Sequence, residues 1–178
     1  MLCFVLLGCG IFPTTPQGRL DAATKNLTNP SRGKERLYDL DRAAWASLEV
    51  GKTEDARRYA KDLLIIAAKN RGDLNNYGDA IHDGNLILGH IDLKEGRTED
   101  AKGYLIESGK TPGSPALNSF GPNMGLARDL LEKGERDVVL QYFDLCRKFW
   151  ELGHPQLDYW SKVVKADRIP DFGANLIY

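Results

Sequence analysis

The run Asn75-Asn76-Tyr77-Gly78-Asp79-Ala80-Ile81-His82-Asp83-Gly84-Asn85 brings carboxylates, an imidazole and amides together at the most polar first helix of a hairpin in this 178-residue sequence. On a helix, Asp79 and Asp83 stand one turn apart on one face, His82 and Asn85 are three residues apart, and His90 follows about two turns after His82. Carboxylate, imidazole and amide groups together supply metal ligands or a general acid and base. Asp79, His82, Asp83 and His90 therefore define one reading: a small-ligand or metal-binding protein, or a hydrolytic enzyme. The other reading is structural. No His-Glu-x-x-His or paired-cysteine spacing is present, and polar groups inside helical arrays usually satisfy helix ends and inter-helix hydrogen bonds. On that reading the chain has no catalytic residue, no metal and no cofactor.

A polar pocket drawn more widely would take in Asn76, Tyr77, Asp79, His82, Asn85, Phe120 and Asn123. The motif Phe120-Gly-Pro-Asn123 recurs as Phe172-Gly-Ala-Asn175. It reads either as an aromatic plug with a capping turn, Pro122 serving a helix start, or as glycines and asparagines ringing that pocket with the tail closing it. Two Gly-Lys-Thr triplets, at Gly51 and Gly109, lack the glycine five residues earlier and a preceding strand, which excludes a phosphate loop. Gly109-Lys-Thr-Pro-Gly-Ser-Pro115 is a loop rich in turn formers, and long loops of this kind often carry function.

The elements that would position these residues are helices. Leu37, Leu40, Ala44 and Leu48 form one apolar stripe, and Ala56, Tyr59, Ala60, Leu63, Leu64 and Ala67 a second. Between them Gly51-Lys52 is a turn, Thr53 an N-cap, and Glu54 and Asp55 sit where the helix dipole favours acids. The pattern recurs: Gly51-Lys-Thr-Glu-Asp-Ala-Arg-Arg-Tyr59 matches Gly96-Arg-Thr-Glu-Asp-Ala-Lys-Gly-Tyr104 at six of nine positions, and Gly134 opens a fainter third copy. Each glycine has a leucine three residues before it (Leu48, Leu93, Leu131) and a small residue seven before (Ala44, Gly89, Ala127). Helices are predicted near 34–50, 53–69, 75–95, 98–108, 119–133 and 136–152. A seventh, near 156–167, would cap the array with Leu157, Trp160, Val163 and Val164, and the tail, with Phe172, Leu176, Ile177 and Tyr178, would fold back onto it.

This register, with its Leu88-Gly89 pair, resembles the tetratricopeptide repeat. The turn glycines stand 45 and 38 residues apart, against roughly 34 in that family, so the loops are longer. The resemblance implies an all-α, antiparallel helix-hairpin array of about three hairpins plus the capping helix. It also implies a concave face that binds a protein or peptide partner. The family's groove positions fall on Tyr38, Asp41, Trp45, Leu48 and Glu49, then on Asp83, Leu86, His90, Leu93 and Lys94, and then on Gly121, Met124, Arg128, Leu131 and Glu132. Tyr38 and Trp45 would form an aromatic wall beside Asp83, His90, Lys94 and Arg128.

Charge and composition narrow the class. Lys plus Arg is 24 and Asp plus Glu is 25, giving a net charge of −1. A nucleic-acid binder would carry a basic excess, and no polybasic membrane patch is present. Hydrophobic content of 42% with 28% charged residues fits a folded domain rather than disorder. Three cysteines build no disulfide framework. The first 18 residues contain no charge, and their apolar run ends at Pro13, short of the roughly 20 residues of a membrane-spanning helix. Leu6-Leu7-Gly8-Cys9 resembles the bacterial lipobox, which implies cleavage before Cys9, acylation of its sulfur, loss of Cys3 and an address at the cell envelope. Cys146 would then remain as a small core residue. The chain divides into a signal remnant (1–8), a flexible tether (9–33) and a repeat domain (34–178). Membrane contact would be through the lipid alone, and without the anchor the address would be cytoplasmic.

Overall fold

The computed structural model describes residues 15–69 and 77–176. These residues are all-helical, with no strand among them. In chain order the helices are α1 (Pro16–Leu27), α2 (Arg36–Glu49), α3 (Thr53–Lys69), α4 (Tyr77–Lys94), α5 (Thr98–Gly109), α6 (Pro115–Phe120), α7 (Gly125–Glu132), α8 (Arg136–Cys146) and α9 (His154–Lys165). Cys9 and Asn76, like Cys3, Ile177 and Tyr178, lie outside the described residues.

The apolar stripes become the packing faces. Leu37, Leu40 and Ala44 on α2, and Ala56, Ala60, Leu63 and Ala67 on α3, are buried. Between hairpin partners the chain makes the same turn three times. Gly51, Gly96 and Gly134 all have positive φ, at 77°, 81° and 86°. In each turn the glycine N–H bonds the carbonyl three residues back, and the next N–H bonds the carbonyl five back: Lys52 to Ser47 at 2.8 Å, Arg97 to Asp92 at 2.8 Å, Glu135 to Leu130 at 3.0 Å. This is the Schellman arrangement, which needs a residue without Cβ in the left-handed region. Thr53 is not the expected N-cap. Helix α3 starts at Thr53 itself, and α5 is capped at Arg97 with no side-chain bond.

Helix α4 is the centre of the molecule. It packs against α2, α3, α5, α6 and α7, and it buries thirteen of its residues. Its glycines permit the close approaches. A Cβ on Gly89 would stand 2.3 Å from a Leu126 methyl and 3.2 Å from the Tyr104 Cβ, and one on Gly78 would stand 1.8 Å from the Gly113 carbonyl oxygen. The 110–114 loop is thereby seated on the first turn of α4, where the Thr111 hydroxyl donates to the Gly78 carbonyl at 2.7 Å. Across the α3–α4 contact, Arg57 binds Asp92 at 2.9 Å and Glu95 at 2.7 Å.

Three expectations change. Residues 16–27 lie inside the stretch read as a tether, yet they form α1, which packs on α2 and buries Leu20 and Ala23. Thr15 caps α1 through its hydroxyl, and Asn26 and Arg32 bond the buried Asp39 of α2. The single helix predicted at 119–133 is two helices, because Gly121 adopts φ 88° and ends α6. Pro122 starts no helix, and α7 begins three residues later, where the Asn123 carboxamide oxygen accepts from Gly125 N–H at 2.7 Å. Helix α8 ends at Cys146 rather than 152, and the chain then turns Phe149 and Trp150 into the core.

Helix α9 buries Leu157, Trp160, Val163 and Val164 as expected. The tail seats Phe172 against Trp160, with ring centroids 4.9 Å apart. Asn175 stitches this tail to the 120–124 turn, donating to the carbonyls of Phe120 and Pro122 and accepting from Met124 N–H at 2.8 Å. Phe172 is thus a plug, whereas Phe120 is 78% exposed and is not. No helix among the described residues is long and apolar enough to cross a membrane.

Gly78→Ala drives a methyl into backbone and should destabilise the fold by about 1–3 kcal/mol, lowering Tm by several degrees. Gly103→Ala, at an exposed helical position with nothing within 4 Å, should be neutral or stabilising by up to about 1 kcal/mol. Thermal melts of the two variants beside the parent check both.

Candidate functional site

Helices α2 and α4 place their predicted groove residues at matching intervals. Tyr38, Asp41, Trp45 and Leu48 occupy successive turns of α2, and Asp83, Leu86, His90 and Leu93 those of α4. At a rise of about 1.5 Å per residue, each row spans roughly 15 Å, with Leu86 buried in the core rather than open on the face. Two concavities border it. One, of about 330 Å³, lies at the start of the rows and is lined by Asp41, Asp79 and Asp83, with Leu37, Leu63 and Ala80 as apolar wall and the exposed Tyr38 and Ala116 at its edge. The other, of about 690 Å³, lies at the far end between Leu48, His90, Leu93, Lys94, Asp129, Glu132 and Lys133. Trp45 stands between them on α2, edge-on to His90 with ring centroids 6.0 Å apart.

The two concavities differ in electrostatics. In the smaller one, Oδ1 of Asp41 and Oδ1 of Asp83 are buried and accept no hydrogen bond. Burial and the charge of Asp79 push the Asp41 carboxyl up to about 7, against the pull of Arg42. Burial, with the charges of Asp41 and Asp79, holds Asp83 well above the usual carboxylate range. Asp79 is also raised by burial, although the Ser114 hydroxyl donates to it at 2.5 Å. That same hydroxyl accepts from Leu117 N–H and caps α6, so one serine fixes both the carboxylate and the helix that brings Ala116 to the cavity edge. In the larger concavity, His90 Nδ1 lies 3.2 Å from Asp129 Oδ2. Burial pushes the Asp129 carboxyl up, but His90 and Arg128 outweigh it and hold the group below its ordinary value.

His82 belongs to neither. It is fully buried where α4 meets α5 and the 121–124 turn. Its Nε2 accepts from Asn123 N–H at 3.1 Å, so Nδ1 carries the proton and faces the Ser108 carbonyl at 3.4 Å. The Tyr142 hydroxyl donates to the Asn123 carbonyl at 3.0 Å, and the Tyr142 ring stacks on His82. With both ring nitrogens engaged and burial lowering its pKa to about 4, His82 is a neutral latch between α4, α5 and the 121–124 turn, with no free nitrogen for substrate.

The residues read as one polar pocket are therefore dispersed. Tyr77 packs on the Leu37–Leu40 cluster, Asp79 lines the cavity, His82 and Asn123 meet in the core, and Asn85 donates to the Ile81 carbonyl one turn back. Arg128 pairs with Asp129 at 3.1 Å and with Glu132 beside the larger concavity. The sequence cluster Asp79, His82, Asp83 and His90 splits three ways: two carboxylates to one cavity, His90 to the other, His82 to the core. Asp129 and Ser114 were not anticipated, and their roles have no local signal, because each depends on a partner more than 30 residues away. Comparison with known protein families, curated proteins and solved structures finds no match to this chain.

The carboxyls of Asp41 and Asp83 hold protons more tightly folded than unfolded. Their contribution therefore declines as pH rises from about 4, the unfolded value, through the folded value. His82 has the opposite sign: its contribution is lost as pH falls from about 6.5 towards 4. Asp83→Asn, a neutral isostere, should melt several degrees above the parent at pH 8, and the gap should close towards pH 5. Scanning calorimetry across that range measures it, and equal melting at pH 8 rejects a desolvated carboxylate.

Proposed function

We propose that this chain is a non-enzymatic scaffold of tetratricopeptide-like antiparallel hairpins, α2–α3, α4–α5 and α7–α8, capped by α9. It binds an extended protein or peptide partner along the face made by α2 and α4, with α7 at its far end. The observation that carries this reading is the placement of the groove residues. Asp41 and Asp83 line one concavity, His90 and Lys94 line the next, and Trp45 stands between the two. An extended chain spans about 3.3 Å per residue, so the face accommodates four or five residues with side chains entering alternate recesses. Trp45 is the natural anchor, since tryptophan is over-represented among residues that dominate binding energy. Hydrolysis is disfavoured because the histidine nearest the carboxylates in sequence is closed by two hydrogen bonds.

Selection from a random peptide library, followed by fluorescence polarisation on the enriched sequences, tests the face. Trp45→Ala combined with Lys94→Ala should weaken binding at least tenfold, about 1.4 kcal/mol. A library that yields no binder, or binders indifferent to both changes, rejects the reading.

The address remains the one read from Leu6-Leu7-Gly8-Cys9: a lipid anchor on Cys9 at a bacterial envelope. Two or more acyl chains there would hold the protein stably, where one would not. Intact-mass spectrometry of protein from native membranes should find an acylated cysteine at the mature N-terminus, and an unmodified Cys9 rejects the anchor.

A further inference from the structure

We infer that the cavity between α2, α4 and α6 is a binding site for an organic cation: an ammonium group on an aliphatic stem, as in a lysine side chain or a free alkylamine. This deepens the peptide-binding reading and rests on it where the ammonium belongs to a lysine. A free amine requires no peptide face.

Four observations converge. Asp83 is only 7% exposed, lines the cavity, and leaves Oδ1 without a hydrogen-bond partner. Asp41, facing it from α2, also leaves Oδ1 buried and unpartnered. Asp79 completes the acidic lining, held in place by Ser114 from the loop before α6. Ion pairs are numerous elsewhere, but among the described residues no Lys or Arg pairs with any of these three. Arg42, the cation whose field reaches Asp41, is turned to the rim, where it lies over the Tyr38 ring at 5.4 Å and donates to its hydroxyl at 3.1 Å.

Buried carboxylates without a counter-ion are costly, and an entering cation removes that cost. The rest of the lining selects which cation. Leu37 and Leu63 give an apolar wall for a methylene stem, and the half-exposed Tyr38 lines the mouth. The volume of about 330 Å³ equals roughly ten water molecules at ~30 Å³ each, more than a bare metal ion fills. Among the described residues, no three His, Cys, Asp or Glu side chains are grouped to hold a metal ion. Spread carboxylates with an apolar wall suit an ammonium with its three divergent donors.

The test is isothermal titration calorimetry with parallel thermal shift at pH 8, on the full chain. The probes are n-butylamine hydrochloride, n-butanol, calcium chloride and Nα-acetyl-lysine-N-methylamide. The butylammonium ion should bind at least tenfold more tightly than butanol and raise Tm in a dose-dependent way. Asp83→Asn should weaken it tenfold or more. Ala116→Phe, at an exposed position on the cavity edge, should block it without lowering the melting temperature of the free protein. The inference is overturned if butanol binds as well as the amine, if calcium binds in preference to it, if the amine produces neither heat nor shift, or if Asp83→Asn binds like the parent. Amine binding with no library peptide would sink the peptide face and leave the cation site standing. Peptide binding untouched by Asp83→Asn, with no response to the amine, would sink the cation site alone.

Discussion

A helix buried on nearly every side sets the terms for the rest of this molecule. Helix α4 touches five other helices, so each polar group it carries must find a partner inside the protein or remain unsatisfied. Most find one. Asp92 is met by Arg57 and Arg97, Asn85 by its own backbone, and His82 by Ser108 and Asn123. Asp83 does not, and neither does Asp41, which faces it from α2. The same burial that makes α4 the organiser of the core makes these two carboxylates its most expensive feature.

Satisfied and unsatisfied groups lie on different sides of the helix. On the core side, His82, Asn123 and Tyr142 form a closed chain of hydrogen bonds, and Asn175 ties the C-terminal tail to the same turn. This network leaves both His82 nitrogens engaged and its imidazole neutral. On the α2 side the polar groups converge on concave surface, with charge of one sign in the smaller cavity and mixed sign in the larger. Among the described residues three buried side-chain oxygens lack a partner, the Ser47 hydroxyl on α2 and the Oδ1 atoms of Asp41 and Asp83, and the two carboxylate oxygens lie together at the smaller cavity.

The 110–114 loop shows how positioning works at a distance. Its turn-forming composition suggests a functional loop, and its contacts hold α4, Asp79 and α6 in place. Thr111 bonds the first turn of α4, Ser114 holds Asp79, and α6, capped by that serine, closes the cavity edge with Ala116. Gly78 makes the seating feasible, since any side chain there meets the loop backbone.

What the sequence by itself determined is what local physics fixes. Apolar periodicity marked α2, α3, α4, α5 and α9 to within about two residues, and the repeated glycines marked three identical turns, because a left-handed C-terminal cap is a property of a few consecutive residues. The Asp79–Asp83 pair was equally legible, being one helical turn. Local rules also overreached. Thr53 has the residue type of a cap, although the chain enters the helix one residue earlier, and residues 16–27 have the thin apolar stripe of a tether although they pack as a helix. Only the tertiary structure decided which residues share a site. Asp41 joins Asp83 across 42 positions of sequence, Ser114 reaches Asp79 across 35, and His82 turns away from both, since pairing of helices depends on how buried faces fit together. Spacing along one helix says which side chains share a face, while packing alone says whether that face meets solvent, a cavity or the core.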